Sequence, residues 1–219
     1  MKFIKSTVTS DSRIEMGASL LSSVKIVVNV LFALVIFQAF LILPRPDDPD
    51  LEYFTLSQIF QDNIMTLLVI VVGMILVILY WIQFNRLIGN LKRSTPMHAS
   101  LSLMQVIFLM LYLYFMRFDI EFDGMKLALQ MESVFLALAG FTAAINWMYA
   151  RSSGLISKTM TDEEKDDLFY KILPEPLASA FTFPFAVYGP DIWTIAFLSI
   201  IPFGMILKRI RKKNQKNKP

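Results

Sequence analysis

The sequence predicts an all-α polytopic membrane protein with six transmembrane helices per chain and both termini in the cytoplasm. The first observation is a series of apolar runs, four long and two shorter, in a chain that is 55% hydrophobic. A helix needs roughly 20 mostly apolar residues to cross the ~30 Å hydrocarbon core of a bilayer. Backbone polar groups in lipid must be satisfied within the segment, so these runs are predicted to be helices. The second observation is the segregation of Lys and Arg residues along the chain.

The apolar runs predict one membrane domain, residues 1–207. The last two runs are short and rich in proline, which membrane helices tolerate when neighbouring helices satisfy the freed carbonyl groups. A basic cytoplasmic tail, residues 208–219, follows the domain, and we expect this tail to be disordered. The predicted spans are residues 24–43, 64–84, 97–118, 127–149, 173–188 and 192–207.

The distribution of basic residues predicts the orientation. Seventeen of the 21 Lys and Arg residues fall in the N-terminal segment, the second and fourth loops and the tail, against three in the first and third loops. The remaining one, Lys25, heads the first span. The positive-inside rule therefore places both termini in the cytoplasm. Because topology accounts for the basic tail, no nucleic-acid partner is predicted; the tail could contact anionic lipid headgroups.

Two of the loops between the predicted spans contain residues that predict their local structure. The first loop opens with a proline-rich acidic stretch, residues 44–50, that cannot continue a helix. In the fourth loop, Thr161 and Glu164 have the spacing of a capping box. This spacing predicts a short charged helix from Asp162 to Lys171, lying at the membrane surface.

Polar residues at membrane depth are costly, and function is the default hypothesis for them. Ser22, Lys25 and Asn29 follow spacings of three and four, so they share one face of the first span. That face lines an aqueous entrance or contacts another helix, and the spacing fits both. For Lys25 we favour an ammonium group that reaches the cytoplasmic interface.

Two residues are cation-attracting or intramembrane polar candidates. Glu132 is the only acidic residue within the four long apolar runs. It either binds a cation or proton or simply reaches the outer interface, and the second interpretation is slightly favoured. Gln105 is predicted, with Asn146, to hydrogen-bond between helices rather than to contact a ligand.

Catalytic and metal sites are poorly supported. The chain has no cysteine, which excludes disulfides and thiolate metal sites. Its single histidine, His98, has no nucleophile at a recognisable spacing. No Gly-rich phosphate loop or metal-ligand spacing occurs. We therefore predict that the protein is not an enzyme and has no cofactor and no metal site.

Three passages resemble a known family. Arg13-Ile14-Glu15-Met16 resembles an Arg-Leu-Glu-Ala-like lead into a first helix. Trp81–Leu87 resembles a Trp followed by a His pair and Arg-Leu, with Phe84-Asn85 in place of the His pair. Gln105–Leu109 resembles an Asn-led aliphatic run, with Gln105 in place of the Asn. On these passages the chain resembles the endolysosomal-type potassium channel family, whose prokaryotic members have six spans per chain. The family signature Arg-x-x-x-Phe-Ser-Asp departs here, because Gly17-Ala18-Ser19 stands in place of Phe-Ser-Asp.

The resemblance implies a homo-oligomeric cation channel of the potassium type, in a membrane of the bacterial inner-membrane kind. Its first span would lie nearest the symmetry axis and form a hydrophobic constriction that gates by dewetting. The implied partners are the lipid bilayer and potassium or other monovalent cations. The alternatives are a non-conducting membrane interaction or scaffold protein and, third, a secondary transporter. The pore-lining candidates are Ser22, Val24, Val28, Asn29 and Leu31. Val24, Val28 and Leu31 form one aliphatic stripe, which would make the constriction. The same stripe could be an ordinary lipid-facing or packing surface, and the sequence alone favours that alternative.

Overall fold

The structure is a computed structural model that describes residues 10–41, 64–122 and 124–216. Every element in these residues is helical, apart from one isolated antiparallel bridge between Leu91 and Ile156. The elements are α1 (Ser10–Phe40), α2 (Ile64–Gly89), α3 (Pro96–Glu121), α4 (Lys126–Ser152), α5 (Asp162–Ile172), α6 (Pro174–Thr182), a 3-10 helix (Phe183–Tyr188), α7 (Pro190–Phe197) and α8 (Ile200–Lys216).

Five stretches are long and apolar enough to cross a membrane: Glu15–Phe40, Val69–Gly89, Pro96–Glu121, Lys126–Ser152 and Pro190–Lys213. The predicted all-α, multi-pass membrane protein is therefore confirmed. Residues 173–188, predicted as a further span, form two short elements, α6 and the 3-10 helix. Their combined length is about 25 Å, somewhat less than the ~30 Å hydrocarbon core of a bilayer. The sixth crossing and the orientation of the termini remain predictions.

The basic C-terminal segment is helical where the structure describes it. Helix α8 continues to Lys216, so the expectation of disorder is wrong for residues 208–216. This segment packs against α5 and α6, and the Arg211 guanidinium forms an ion pair with the Asp167 carboxylate on α5. The predicted capping box at the start of α5 is confirmed, since Thr161 and Glu164 each accept a hydrogen bond from the other's backbone N–H.

Helix α4 lies at the centre of the bundle, against α3 along one side and α6 along another. Its side chains at the contact are small, which lets the neighbouring backbones approach closely. At Gly140 there is no room for a side chain, because an added Cβ would lie 2.7 Å from Pro176 Cβ and 2.8 Å from the Tyr80 hydroxyl. The buried small residues of α4 include Ala128, Ala137, Ala139, Gly140, Ala143, Ala144 and Ala150.

Candidate functional site

Helix α1 has two unlike faces. One face packs against α2 and α3 and buries Val28 and Phe32 completely. The opposite face is open, with Val30 55% exposed and Ile26 and Phe37 similarly uncovered. In a single chain, this open face is available to lipid or to another protein surface.

The structure separates the predicted pore-lining residues. Val24 and Val28 lie together on the packed face, and Leu31 is partly buried against the same core. Ser22 is exposed and Asn29 is half-buried. Val24 and Val28 therefore do not face outward in this protomer. That a constriction forms at these residues remains a prediction about an assembly of several chains.

The open face of α1 changes character along its length. Its first turns expose hydroxyl groups, with Ser19, Ser22 and Ser23 all uncovered. The Ser23 hydroxyl donates to the Ser19 carbonyl at 3.1 Å, so part of this polarity is satisfied within the helix. From Ile26 onward the uncovered side chains are mainly apolar, with Val30 one turn further. The face thus passes from a hydroxyl-bearing section to an aliphatic one.

Asn29 holds α1 against α2. Its side-chain Oδ1 accepts from Trp81 Nε1 at 2.8 Å and from Asn85 Nδ2 at 3.2 Å. This geometry favours the helix contact over the aqueous entrance as the role of Asn29. Sequence reasoning missed the pairing, although Trp81 and Asn85 are four residues apart and so share a helix face.

A second contact fixes the start of α1. The Gly17 carbonyl accepts from the Ser94 N–H at 2.8 Å, in the connection between α2 and α3. An added Cβ at Gly17 would lie 3.1 Å from Arg93 Cβ and 3.3 Å from the Ser94 carbonyl oxygen. Gly17 stands where the signature of the resembled family has Phe. Because glycine has no side chain, the backbone of α1 can lie close to Arg93 and Ser94, and a larger side chain would push them apart.

Glu132 is buried, at 1% exposure. The favoured interpretation, that it reaches the outer interface, is therefore wrong, because α3 and α6 cover this face of α4. Its carboxyl group lies within electrostatic range of Asp119 and the Tyr112 hydroxyl, both on α3. Its Oε1 has no hydrogen-bond partner among the described residues. This carboxyl group is a buried polar group inside the chain, and its position at membrane depth remains a prediction.

Gln105 and Asn146 lie deep in the contact between α3 and α4. Asn146 Nδ2 donates to the Ser102 hydroxyl at 3.0 Å, so its predicted interhelical hydrogen bond is present. Gln105 is 2% exposed, and its Nε2 has no partner among the described residues. Both amides line a cavity of about 10 Å³ that also touches His98. A cavity of this size is about the smallest that can hold one water molecule.

The polar groups do not gather into a metal site in the part of the chain that the structure describes, where no group of three or more potential ligand residues occurs. His98 has a structural role instead. Its Nδ1 lies 2.9 Å from the Ser94 hydroxyl, and its backbone N–H donates to Thr95 Oγ1, which caps α3.

Together, these helices and contacts define a multi-pass helical membrane protein whose first helix presents an open face. No family model matches the chain, and no curated protein matches it. A solved structure with the same fold is the crystal structure of a lysosomal potassium-selective channel TMEM175 homolog from Chamaesiphon minutus. The TM-score is 0.68 and the identity 12%, over 86% of this chain and 98% of that chain. The similar structure is an ion channel, which is compatible with the prediction that the protein is not an enzyme.

Proposed function

We propose that this chain assembles as a homo-oligomer into a passive channel for monovalent cations, with potassium first, in a membrane of the bacterial inner-membrane type. Two findings support the proposal. The fold is shared with a structure described as that of a potassium-selective channel. The main structural support is the open face of α1, on which exposed serines are followed by exposed aliphatic side chains.

The order of side chains on this face suits a gated pore. Serine hydroxyls can stay hydrated at an entrance, whereas a ring of aliphatic side chains can exclude water and gate by dewetting. With α1 nearest the symmetry axis in its present rotation, Ile26 and Val30 form the constriction, in place of Val24, Val28 and Leu31, which the sequence suggested. Consecutive helical residues are about 100° apart, so bringing Val28 to the axis would need α1 to rotate by roughly half a turn.

The polar contacts of α1 support the present rotation. Asn29 accepts hydrogen bonds from two side chains of α2, and Gly17 accepts one from the backbone before α3. A half-turn of α1 would break all three and leave the Trp81 N–H without its acceptor. We therefore expect these contacts to hold the Ile26 and Val30 face toward the axis.

Conductance of purified protein in planar bilayers tests the proposal. Val30→Asn should make the constriction easier to wet and should raise basal conductance several-fold over wild type. Val28→Asn is the matched variant on the packed face and should mainly lower the yield of folded protein. Increased current from Val28→Asn alone would assign the constriction to the packed face instead. Absence of current from folded wild-type protein would favour the non-conducting scaffold.

Conduction should prefer cations over anions but discriminate weakly between potassium and sodium. The predicted outer loops attract cations by sign alone, over a screening length of ~8 Å at physiological ionic strength. Their acidic residues are Asp47, Asp48, Asp50, Glu52 and Asp62 in the first loop and Asp119, Glu121 and Asp123 in the third. The structure reduces this surface charge, because Asp119 is 7% exposed and Glu121 pairs with Arg117 at 2.6 Å. The first-loop acids and Asp123 lie outside the described residues. Reversal potentials under potassium/sodium and potassium/chloride gradients would measure both preferences.

The proposed orientation can be tested because the chain has no native cysteine. Single cysteines at Gly89 and Ser157 should react with a membrane-impermeant reagent from the cytoplasmic side. Cysteines at Asp48 and Asp123, outside the described residues, should react from the opposite side. Labelling of positions 48 and 123 from the cytoplasm alone would reverse the topology.

A further inference from the structure

A cavity of about 340 Å³ lies between α2, α5, α6 and α8, away from the open face of α1. Its volume is within the range of ligand-binding pockets, roughly 300–1,000 Å³. The walls are mainly aliphatic side chains, and the polar residues that line the cavity are Tyr80, Gln83, Arg86, Lys171 and Glu175. The aliphatic lining includes Leu76, Leu79, Ile82, Leu168, Ile172 and Ile200.

The polar end of the cavity is cationic. Arg86, in the last turn of α2, and Lys171, in the last turn of α5, both line it. Among the described residues, no acidic side chain forms an ion pair with Arg86. Lys171 Nζ lies 2.7 Å from Asp167 Oδ2, but the other oxygen of the same carboxylate pairs with Arg211. One carboxylate therefore compensates two cations, and positive charge remains at this end.

Glu175, at the base of the cavity, has its own hydrogen-bond partners. The Tyr80 hydroxyl donates to Glu175 Oε2, and the Ser179 hydroxyl lies 2.9 Å from Oε1 and donates to it. Both carboxyl oxygens are therefore engaged at the base, and among the described residues Glu175 forms no ion pair with Arg86 or Lys171. The base is a hydrogen-bonded floor that is separate from the cationic end.

The charged end and the aliphatic wall follow one another along α2 in the order of a lipid's headgroup and acyl chain. Leu79 and Ile82 line the cavity and are also half-exposed on the outer surface of the bundle. Leu79 lies about 10 Å along the helix axis from Arg86. A ligand with its anionic group at Arg86 can therefore extend its apolar part along this wall into the bilayer.

We propose that this cavity binds an anionic membrane phospholipid, with its phosphate between Arg86 and Lys171 and the first part of an acyl chain on Leu79 and Ile82. Basic pockets between membrane helices on the cytoplasmic side are a recognised form of lipid headgroup site. The guanidinium of Arg86 matches the planar, two-oxygen geometry of a phosphate. Binding here does not depend on conduction, so the proposal stands or falls separately from the proposed function.

Native mass spectrometry and thermal unfolding of the purified protein in detergent test the site. The lipid probes are dioleoyl phosphatidylglycerol and dioleoyl phosphatidylcholine, which share acyl chains and differ in net charge. We expect phosphatidylglycerol to bind preferentially and to raise the unfolding midpoint. Arg86→Gln and Lys171→Gln should each weaken its binding about ten-fold, whereas Arg86→Lys should lose less.

Lys92→Gln is the matched control. Lys92 is an exposed cation on the same side of the protein, just after α2, and does not line the cavity. Equal loss of phosphatidylglycerol binding in this variant would show attraction by surface charge and would overturn the site. Equal affinity for phosphatidylcholine would do the same. If inorganic phosphate stabilised the wild type as much as phosphatidylglycerol, the cavity would be an anion site and the lipid assignment would be wrong.

Discussion

Helices α1 and α4 are both long enough to span a membrane, yet they relate to the rest of the protein in opposite ways. The most apolar 18-residue stretch of α1 has a mean hydropathy of 2.4, and 22% of it is buried in the protomer. The corresponding stretch of α4 has a mean hydropathy of 1.5, and 61% of it is buried. The less apolar helix is the one at the centre.

The composition of the two helices explains this inversion. Lipid is as apolar as leucine, so a membrane helix gains nothing by hiding leucine from it, and close packing favours small residues instead. Helix α4 buries Gly140 together with the polar side chains of Glu132, Thr142 and Asn146. Helix α1 leaves Ile26 and Val30 uncovered. Small and polar residues therefore mark the protein interior here better than hydropathy does.

The largest expected effect comes from adding one methyl group to α4. Gly140→Ala would place its Cβ within 2.8 Å of Pro176 and the Tyr80 hydroxyl, so we expect destabilisation of about 1–3 kcal/mol. Gly204→Ala in α8 is the control, since nothing lies within 4 Å of its added Cβ and alanine favours helix. Unfolding midpoints in detergent would compare the two. Equal midpoints would mean that α4 and α6 are not in close contact.

The two faces of α1 provide the next test. Val28→Asn buries an amide in an apolar contact and should cost about 2 kcal/mol, because Val28 is fully buried in the hydrophobic core. Val30→Asn, on the open face, should change the unfolding midpoint little in monodisperse protein. A larger loss of stability from Val30→Asn would show that the open face is covered by a tight interface in the oligomer.

The sequence predicted most helix positions but few of their contacts. The span predicted at 97–118 is α3, Pro96–Glu121, and the one at 127–149 is α4, Lys126–Ser152. Apolar length and turn residues determine such bounds. Which face of each helix packs inward was not predictable, because both faces are apolar and the periodicity that reveals buried faces in soluble proteins is weak. The burial of Glu132 and the Asn29–Trp81 pair depend on three-dimensional neighbours.

A smaller effect is expected at the contact between α1 and α2. Asn29→Leu keeps the side-chain size but removes the acceptor of Trp81 Nε1. Interhelical hydrogen bonds in membrane proteins contribute about 0.6 kcal/mol on average and at most ~1.7 kcal/mol. A double-mutant cycle with Trp81→Phe should give a coupling energy in that range. Ser22→Ala, on the open face, is the control; strictly additive effects of the two α1–α2 variants would contradict the contact.

The smallest effect concerns the surface helix α5. Thr161 Oγ1 accepts from the Glu164 N–H at 3.2 Å, and Glu164 Oε2 accepts from the Thr161 N–H at 2.8 Å. Loss of the first bond in Thr161→Ala should speed hydrogen exchange at the start of α5 about five-fold at neutral pH. Thr159→Ala, an exposed loop threonine just before the helix, should leave this exchange unchanged.

Acid should weaken the same cap. The hydrogen bonds from the Thr161 backbone and side chain lower the pKa of Glu164, because they stabilise its carboxylate. A group whose pKa is lowered by folding contributes stability above its ordinary pKa and loses it as the pH falls through the lowered value. Local protection at α5 should therefore fall in acid for wild type and fall less for Glu164→Gln. An equal acid dependence in both proteins would show that another group controls this end of the helix.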